Sequence, residues 1–203
     1  MIETNTYIMG SKEENRWKKS DISYKNYQDY IGKKVDKYEL KLVDLLYVSN
    51  FKGGNATINE KETEINKKLI HYTKGLKAID IEFQGRKLSE LTSSEIEDLV
   101  LLVHKIVNLT DKESPDSRID GFSASYLSAL LNAYFPNLLP ILDRRLLINL
   151  KLVLEKNWDS KKQIKDIKSF YKQLILEIAR IVRESGKSIR EVDRQYFSIP
   201  IKH

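Results

Sequence analysis

Cysteine is absent from this chain of 203 residues. Disulfide bonds and metal sites built on thiolate ligands are therefore excluded. The histidines number three, lie far apart in the sequence and include the last residue, His203. Since zinc sites need several histidine or cysteine ligands at set spacings, we expect the protein to bind no metal, and we expect no other cofactor.

Long apolar runs are missing as well. No stretch approaches the roughly 20 apolar residues that a membrane-spanning helix needs. The first 17 residues are polar, with acidic side chains early, and lack the apolar core of a signal peptide. The sequence therefore predicts a cytoplasmic protein that has no contact with a membrane.

Apolar residues make up 41% of the sequence, which is enough to build a buried core. Lysine and arginine number 35 against 29 acidic residues, so the formal net charge is +6. A mild basic excess suits nucleic acid or another anionic partner. It fits equally well a protein that binds nothing charged, because many basic proteins have no specific anionic ligand.

Helical spacing of apolar residues dominates the chain and predicts an all-α fold. We interpret the polar residues 1–20 as a loose N-terminal arm with Trp17 as an anchor, and 21–203 as a single domain. The alternating residues 78–83 have no evident partner strand and are interpreted as a linker. The predicted helices span 23–31, 36–48, 60–76, 92–109, 123–134, 143–156, 160–184 and 188–197.

Two polar features of the predicted helices have structural interpretations. Tyr24, Tyr27 and Tyr30 recur every three residues. Such a stripe can stack on nucleic-acid bases, but it more often docks a helix onto the protein body, and we favour docking. Near the C-terminus, Asp193 is interpreted as the partner of a neighbouring arginine, a contact that contributes little where it is exposed.

The most informative stretch spans 121–147 and holds two helical patterns with a proline-containing joint between them. Ser123 or Ser125 can cap the first helix, since a short hydroxyl accepts a bond from a free backbone N–H. Pro136 disfavours helix at the residue before it, so the first helix is predicted to end there. Asp143 then opens the next apolar run, which places one carboxylate at the start of a helix.

Two segments of this region, 119–123 (Ile-Asp-Gly-Phe-Ser) and 140–143 (Pro-Ile-Leu-Asp), resemble the helix-hairpin-helix DNA glycosylase superfamily. In that family a hairpin of the form Leu-Pro-Gly-hydrophobic-Gly leads into a helix, after which a loop delivers an aspartate. Here Ser123 stands in place of the second hairpin glycine, and Ser125 stands where bifunctional members carry a nucleophilic lysine. The resemblance therefore implies a divergent, monofunctional member, and the lack of cysteine excludes the iron–sulfur cluster of some relatives.

The resemblance implies an all-α fold of two lobes, with the middle lobe from about 60–140 and the other from the N- and C-terminal segments. It also implies a monomer that binds double-stranded DNA, flips a damaged or modified base and hydrolyses its N-glycosidic bond. Asp143 would be the catalytic residue, because an anion below the sugar stabilises an oxocarbenium-like transition state. The alternative from the residues alone is that Asp143 only caps its helix.

The residues expected to contact DNA come from the hairpin, the aspartate loop and the loop 50–57. The pair Gly53-Gly54 permits positive φ and close approach of another chain; without the resemblance, this loop is a helix C-cap and turn. Lys52 is also the amine that would restore lyase chemistry if it reached the sugar. The base-pocket residues are predicted to be Asn50, Phe51, Lys52 and Asn55, and the DNA-binding residues Gly121, Phe122, Ser123, Ser125, Arg144 and Arg145.

Two other functions stay open from the sequence. A non-catalytic DNA-binding or phage-defence protein would retain the glycosylase fold and lose the activity, which fits the serines in the hairpin. An all-helical interaction or defence-system subunit would not touch DNA at all. Base release from defined duplexes separates the enzyme from both, and the salt dependence of duplex binding separates the two from each other.

Overall fold

The computed structural model describes residues 11–54, 56–159 and 163–200. Within these ranges the fold is all-α, as predicted, and the one β-type contact is an isolated bridge between Trp158 and Ile164. The α-helices are α1 (Ser11–Gly32), α2 (Leu42–Phe51), α3 (Glu62–Phe83), α4 (Ser93–Val107), α5 (Ala124–Tyr134), α6 (Arg144–Asn149), α7 (Tyr171–Ser185) and α8 (Ile189–Phe197). None of these eight is both long and apolar enough to cross a membrane.

The fold is built around α5, which lies at the centre of the protein. Nine of its 11 residues are buried, since its sequence is apolar on nearly every side, the pattern of a helix enclosed by neighbours. Helices α1, α2 and α4 pack against it. Buried apolar residues from the eight helices form one continuous cluster, and the division into two lobes stays a prediction.

Several helix ends follow the signals in the sequence. The side chains of Thr92 and Glu95 form the capping box of α4, and those of Ser188 and Glu191 form that of α8. Each box satisfies backbone N–H groups that would otherwise lack a partner, which fixes where these helices begin. Helix α5 ends at Tyr134, as expected from the proline two residues later.

The N-terminal arm predicted for residues 1–20 is wrong over 11–20, which form the first turns of α1. Residues 1–10 lie outside the described part of the chain. Trp17 is only 6% exposed, and its ring centroid lies 5.7 Å from that of Phe197 in α8. Burial of this large ring against α8 gives a mostly polar helix a hydrophobic anchor, so the anchor role of Trp17 is confirmed.

The tyrosine stripe of α1 docks into the core, as predicted. Tyr24 and Tyr27 are 4% and 0% exposed. The ring of Tyr30 stacks on that of Tyr47 in α2, with 5.0 Å between the centroids. The rings of Tyr24 and Tyr27 are enclosed by protein and therefore present no free face to a nucleobase.

The helix predicted over 36–48 is wrong in its first turns, because α2 begins only at Leu42. Upstream of it, the Asp36 carboxylate accepts a bond from the Tyr38 N–H at 3.0 Å. Such a local side-chain bond offers the backbone an alternative to the helix. The chain therefore turns before α2 starts.

The linker predicted over 78–83 is also wrong, because these residues are the last turns of α3. Leu76, Ile79 and Phe83 are all buried on one face of that helix. Their spacing continues the helical period of the preceding residues, and it is this period that decides the structure.

Two helices in the C-terminal third are shorter than predicted. The helix expected over 143–156 ends at Asn149, and Lys151 just beyond it has φ of 58°. The helix expected over 160–184 begins at Tyr171, after Asp166 with φ of 44°. A residue with a side chain in this left-handed region interrupts a right-handed helix.

A buried ion pair links the end of α1 to α2. The Asp44 side chain is fully buried, that of Lys34 is 7% exposed, and their charged atoms lie 3.1 Å apart. The hydroxyls of Tyr27 and Tyr134 donate to the same carboxylate at 3.0 and 3.2 Å. The Lys41 N–H binds its other oxygen at 2.8 Å. These donors compensate the buried charge in place of water.

Replacing Asp44 with alanine removes this compensation and leaves the Lys34 ammonium buried without its partner. We expect the free energy of unfolding, measured by urea denaturation at neutral pH, to fall by about 3–5 kcal/mol. Glu39→Ala is the control, because it removes a carboxylate from a pair with Lys41 in which the two side chains are 57% and 58% exposed. Its effect should be small, and equal losses in the two variants would contradict the role given to Asp44.

Candidate functional site

A cleft of about 1160 Å³ opens on one side of the protein, where segments distant in the sequence meet. Its walls are residues 16–23 of α1, the end of α2 with the turn at 53–54, and the start of α6. Helix α8 and Pro200 complete the rim. The cleft thus brings Asp143 together with the loop after α2, the two regions that sequence reasoning assigned to one site.

The charge of the cleft is predominantly positive. Two carboxylates, those of Asp143 and Asp193, belong to the side chains that line it. The cations that line it are Arg16, Lys19, Lys52, Arg144, Arg145 and Arg190. Six cations against two anions in a concave space create a positive potential, which attracts an anionic ligand.

Asp143 is held at both of its oxygens. Oδ1 accepts a bond from the Arg145 N–H at 2.8 Å, which caps α6, and Oδ2 lies 3.0 Å from Lys52 Nζ. Burial raises the pKa of Asp143, but the charge and hydrogen bond of Lys52 and the bond from Arg145 outweigh it, so the pKa lies below its usual value. With the side chain 21% exposed, Asp143 is a charged, partly accessible carboxylate, and its capping role is confirmed.

Serine side chains of α5 fasten the residue that precedes Asp143. Ser125 Oγ donates to the Leu142 carbonyl at 2.7 Å, and Ser128 Oγ accepts from the Leu142 N–H at 2.8 Å. Leu142 is itself fully buried. A shift of the chain here would leave buried polar groups unpaired. These bonds therefore fix the position of the Asp143 carboxylate in the cleft.

The rest of the proline-containing joint is fastened in the same way. Asn132 Nδ2, also on α5, donates to the Leu139 carbonyl at 2.6 Å. The Tyr171 hydroxyl of α7 donates to the Pro140 carbonyl at 2.9 Å. Segment 139–142 has no regular secondary structure of its own, yet the carbonyls of Leu139, Pro140 and Leu142 are satisfied by side chains from two helices.

The two arginines after Asp143 lie over aromatic rings. The guanidinium of Arg144 is 5.2 Å from the Trp158 ring centroid, and that of Arg145 is 5.1 Å from the Phe197 centroid. Guanidinium groups so placed are held by cation–π attraction. Both residues line the cleft, as sequence reasoning placed them beside the carboxylate.

The predicted base-pocket residues of the loop differ from one another in their surroundings. Asn50 lines the cleft and donates to the Ser23 hydroxyl at 3.2 Å, which ties α2 to α1. Phe51 is 4% exposed and packs edge-on against Tyr24, with 5.4 Å between the centroids, so most of its ring belongs to the core. Asn55 lies outside the described residues.

The glycine pair ends α2 as a C-terminal turn. Gly53 and Gly54 have φ of 104° and 73°, and the Gly54 N–H binds the Ser49 carbonyl at 2.8 Å. The turn interpretation is therefore confirmed. Both glycines also line the cleft, so the same turn exposes backbone to any ligand there.

The hairpin residues predicted to bind DNA are not among those that line the cleft. Phe122 is 2% exposed and packs against Tyr72, with 6.1 Å between the ring centroids. Ser123 occupies the N-cap position of α5 without a capping bond from its side chain, which differs from the predicted cap. Ser125 is half-buried and its hydroxyl donates to the Leu142 carbonyl, whereas Gly121 and Ser123 are exposed.

Gly121 is held against the loop that follows α2. It has φ of 82°, and a Cβ added to it would overlap the Thr57 carbonyl oxygen. The residue before Gly121 adds a second contact, because the Asp120 N–H donates to Glu60 Oε1 at 2.6 Å. The hairpin segment 119–123 therefore packs on residues 57–60 and positions one side of the loop whose other side forms the cleft.

Sequence reasoning missed half of the charged residues in the cleft. The arm interpretation left out Arg16 and Lys19, which lie on α1. For Asp193 the sequence predicts a pair with a neighbouring arginine, Arg190 or Arg194, and in the structure the partner is Arg190, at 2.9 Å. Burial is what differs: Asp193 is 6% exposed, and the Arg190 guanidinium lies 4.1 Å from the Trp17 ring centroid. No signal within α8 itself indicates this, because it depends on α1 packing over it.

Comparison with models of known protein families, with curated proteins and with solved structures gives no match. The resemblance to helix-hairpin-helix glycosylases therefore rests on segments 119–123 and 140–143 and stays a prediction. Function has to be argued from the chemistry of the cleft, since a fold by itself does not define one.

Replacing Gly121 with alanine should destabilise the protein by more than the usual cost of placing alanine at a positive φ. Gly85→Ala is the matched control: its φ of 72° is similar, but an added Cβ meets nothing within 4 Å. We expect the control to lose about 1–2 kcal/mol of unfolding free energy and Gly121→Ala to lose a further 1–3, on the order of other overpacked sites. Equal losses in urea denaturation would contradict close packing of the hairpin on Thr57.

Proposed function

We propose that this protein is a cytoplasmic, monomeric DNA glycosylase that flips a damaged or modified base out of double-stranded DNA and hydrolyses its N-glycosidic bond. The observation that carries the proposal is the position of Asp143. Its carboxylate is charged, partly accessible and held by Lys52 and the Arg145 N–H inside a cation-lined cleft.

The chemistry needs little more than such a carboxylate. As the bond between C1′ and the base nitrogen breaks, positive charge develops on the sugar, and an anion fixed nearby stabilises it. The same carboxylate can orient a water molecule toward C1′. A carboxylate fixed before the reaction does not have to reorganise as the charge develops, which is what makes the electrostatic contribution large.

The surroundings of Asp143 fit a nucleotide. A volume of about 1160 Å³ is ample for one flipped base with its sugar. The six cations that line the cleft attract phosphates.

A second candidate is a DNA-binding protein without catalytic activity. The observation in its favour is that both oxygens of Asp143 already have partners, Lys52 at 3.0 Å and the Arg145 N–H at 2.8 Å. A carboxylate so engaged can serve only to cap α6 and to join it to the end of α2. Duplex binding without release of any base would favour this candidate over the enzyme.

Replacing Asp143 with asparagine should slow excision strongly and spare binding. The amide oxygen can still cap α6, whereas the anion opposite the developing cation is lost. We expect base release from a duplex that the native protein processes to slow by on the order of 10²–10³-fold, measured by alkali-induced strand cleavage. The duplex dissociation constant should change little.

The control for this variant is Asp98→Asn, the same chemical change at an exposed position of α4. It should leave excision and binding at native levels. Excision by Asp143→Asn at the native rate would remove Asp143 from the mechanism, and a lost thermal transition would show that the substitution affects folding instead.

Borohydride should trap no covalent adduct between the native protein and its DNA substrate. A hydroxyl cannot form a Schiff base, so Ser125 supplies none. The Lys52 ammonium is bound to Asp143 and has no free electron pair with which to attack the sugar. If an adduct did form, the enzyme would not be monofunctional; its loss in Lys52→Gln but not in Lys19→Gln would then assign the amine.

A further inference from the structure

We propose that Asp193 is the proton donor to the departing base, and that the enzyme therefore acts on bases that are neutral before they leave. The inference rests on the proposed glycosylase function. It concerns a second carboxylate in the cleft of Asp143, one on α8 that the resemblance to known enzymes does not involve.

Asp193 lies at the wall of the cleft that also contains Asp143. It lies on the second turn of α8, lines the same cleft as Asp143 and has a side chain that is 8% exposed. One of its oxygens, Oδ2, accepts a bond from Arg190 Nη1 at 2.9 Å. Arg190 is in turn fixed by Asp21 on α1, whose Oδ1 lies 3.2 Å from Nη2. The carboxyl group is therefore held in place at the wall of a cleft rather than free in solvent.

The charged and titratable groups around Asp193 lie on α8, on α1, at the end of α2 and just before α6. Arg190 is on the same helix, and α1 contributes Asp21, the partner of Arg190. The groups that interact electrostatically with Asp193 are Arg190, Tyr24 on α1, Lys52 at the end of α2 and Asp143 before α6. Burial and the charge of Asp143 raise the pKa of Asp193, Arg190 and Lys52 lower it, and the net result is a pKa of about 6.

The two carboxylates of the cleft thus have opposite environments. The pKa of Asp143 is held below its usual range, and that of Asp193 is raised toward neutrality. A pair of acids whose pKa values are pushed apart is the arrangement in which one stays charged and the other carries a proton. Asp143 is then the anion that faces the sugar, and Asp193 is the acid.

Hydrolysis by the two carboxyl groups transfers one proton to the base and takes one from water. The bond between C1′ and the base nitrogen breaks, its electron pair goes to the base, and the proton of the Asp193 carboxyl moves to the base. Water adds to C1′ through its oxygen, and one water proton passes to Asp143. A proton then returns from Asp143 to Asp193 through solvent, which restores both groups, so the net reaction is addition of one water molecule.

The need for an acid depends on the base. A neutral base that leaves without a proton departs as an anion, which is a poor leaving group, and general acid catalysis of such a step contributes on the order of 10²–10⁴-fold. A base that is already cationic, such as one alkylated at a ring nitrogen, departs neutral and needs no proton. Asp193 would therefore be decisive for the first class and dispensable for the second.

The test uses the full-length chain and duplexes that carry hypoxanthine or uracil as neutral bases, and 7-methylguanine as a cationic one. With a neutral base, we expect the native excision rate to fall about tenfold per pH unit above pH 6, since the acid form is lost there. Asp193→Asn should slow excision of that base by on the order of 10²–10⁴-fold and abolish the fall above pH 6. Any release of 7-methylguanine should be unaffected.

Asp98→Asn is the control, because it makes the same chemical change at an exposed position of α4 outside the cleft and should keep the native pH profile. A purely structural role of Asp193 would slow every substrate and leave the profile in place, which would overturn the proposal. Native rates in Asp193→Asn, or a native protein that releases only the cationic base, would overturn it while the glycosylase function stands. No release of any base by the native protein would remove both.

Discussion

Hydrogen bonds from buried side chains of α5 to segment 139–142 determine where Asp143 lies. Ser125 and Ser128 bind both backbone groups of Leu142, the residue immediately before it. Helix α5 is enclosed by its neighbours, with nine of its 11 residues buried, so its side chains have little freedom to move. An irregular segment can deliver a carboxylate reproducibly only when its own polar backbone is satisfied in this manner.

The cleft is assembled by ion pairs that cross between helices. Lys52 joins the end of α2 to the start of α6 through Asp143, and Arg190 joins α8 to α1 through Asp21. Each pair compensates charges that would be costly to bury alone. The same contacts that close the fold on this side also fix the protonation of the groups that face the cleft, so stability and chemistry depend on the same residues.

Much of the fold could be predicted because the apolar spacing and the capping residues of a helix are local features of the sequence. The period of buried residues located α3, α4 and α5, and the capping boxes of α4 and α8 located their first residues. The errors lie where local pattern and long-range packing disagree. Lys151 and Asp166 interrupt the predicted helices 143–156 and 160–184. Neither residue is a glycine or a proline, the residue types that usually mark the end of a helix. Residues 11–20 are polar throughout much of their length, and burial of Trp17 against α8 accompanies their helical structure.

For the site, the sequence by itself determined that Asp143 begins a helix beside two arginines and that a glycine turn follows α2. Both are short-range features, set by proline stereochemistry, capping and the freedom of glycine at positive φ. Only the tertiary structure decided that Lys52 meets Asp143 across 91 positions of sequence and that Asp193 is buried in the same cleft. Protonation and burial depend on which side chains pack together, and that depends on the assembly of all the helices rather than on any one of them.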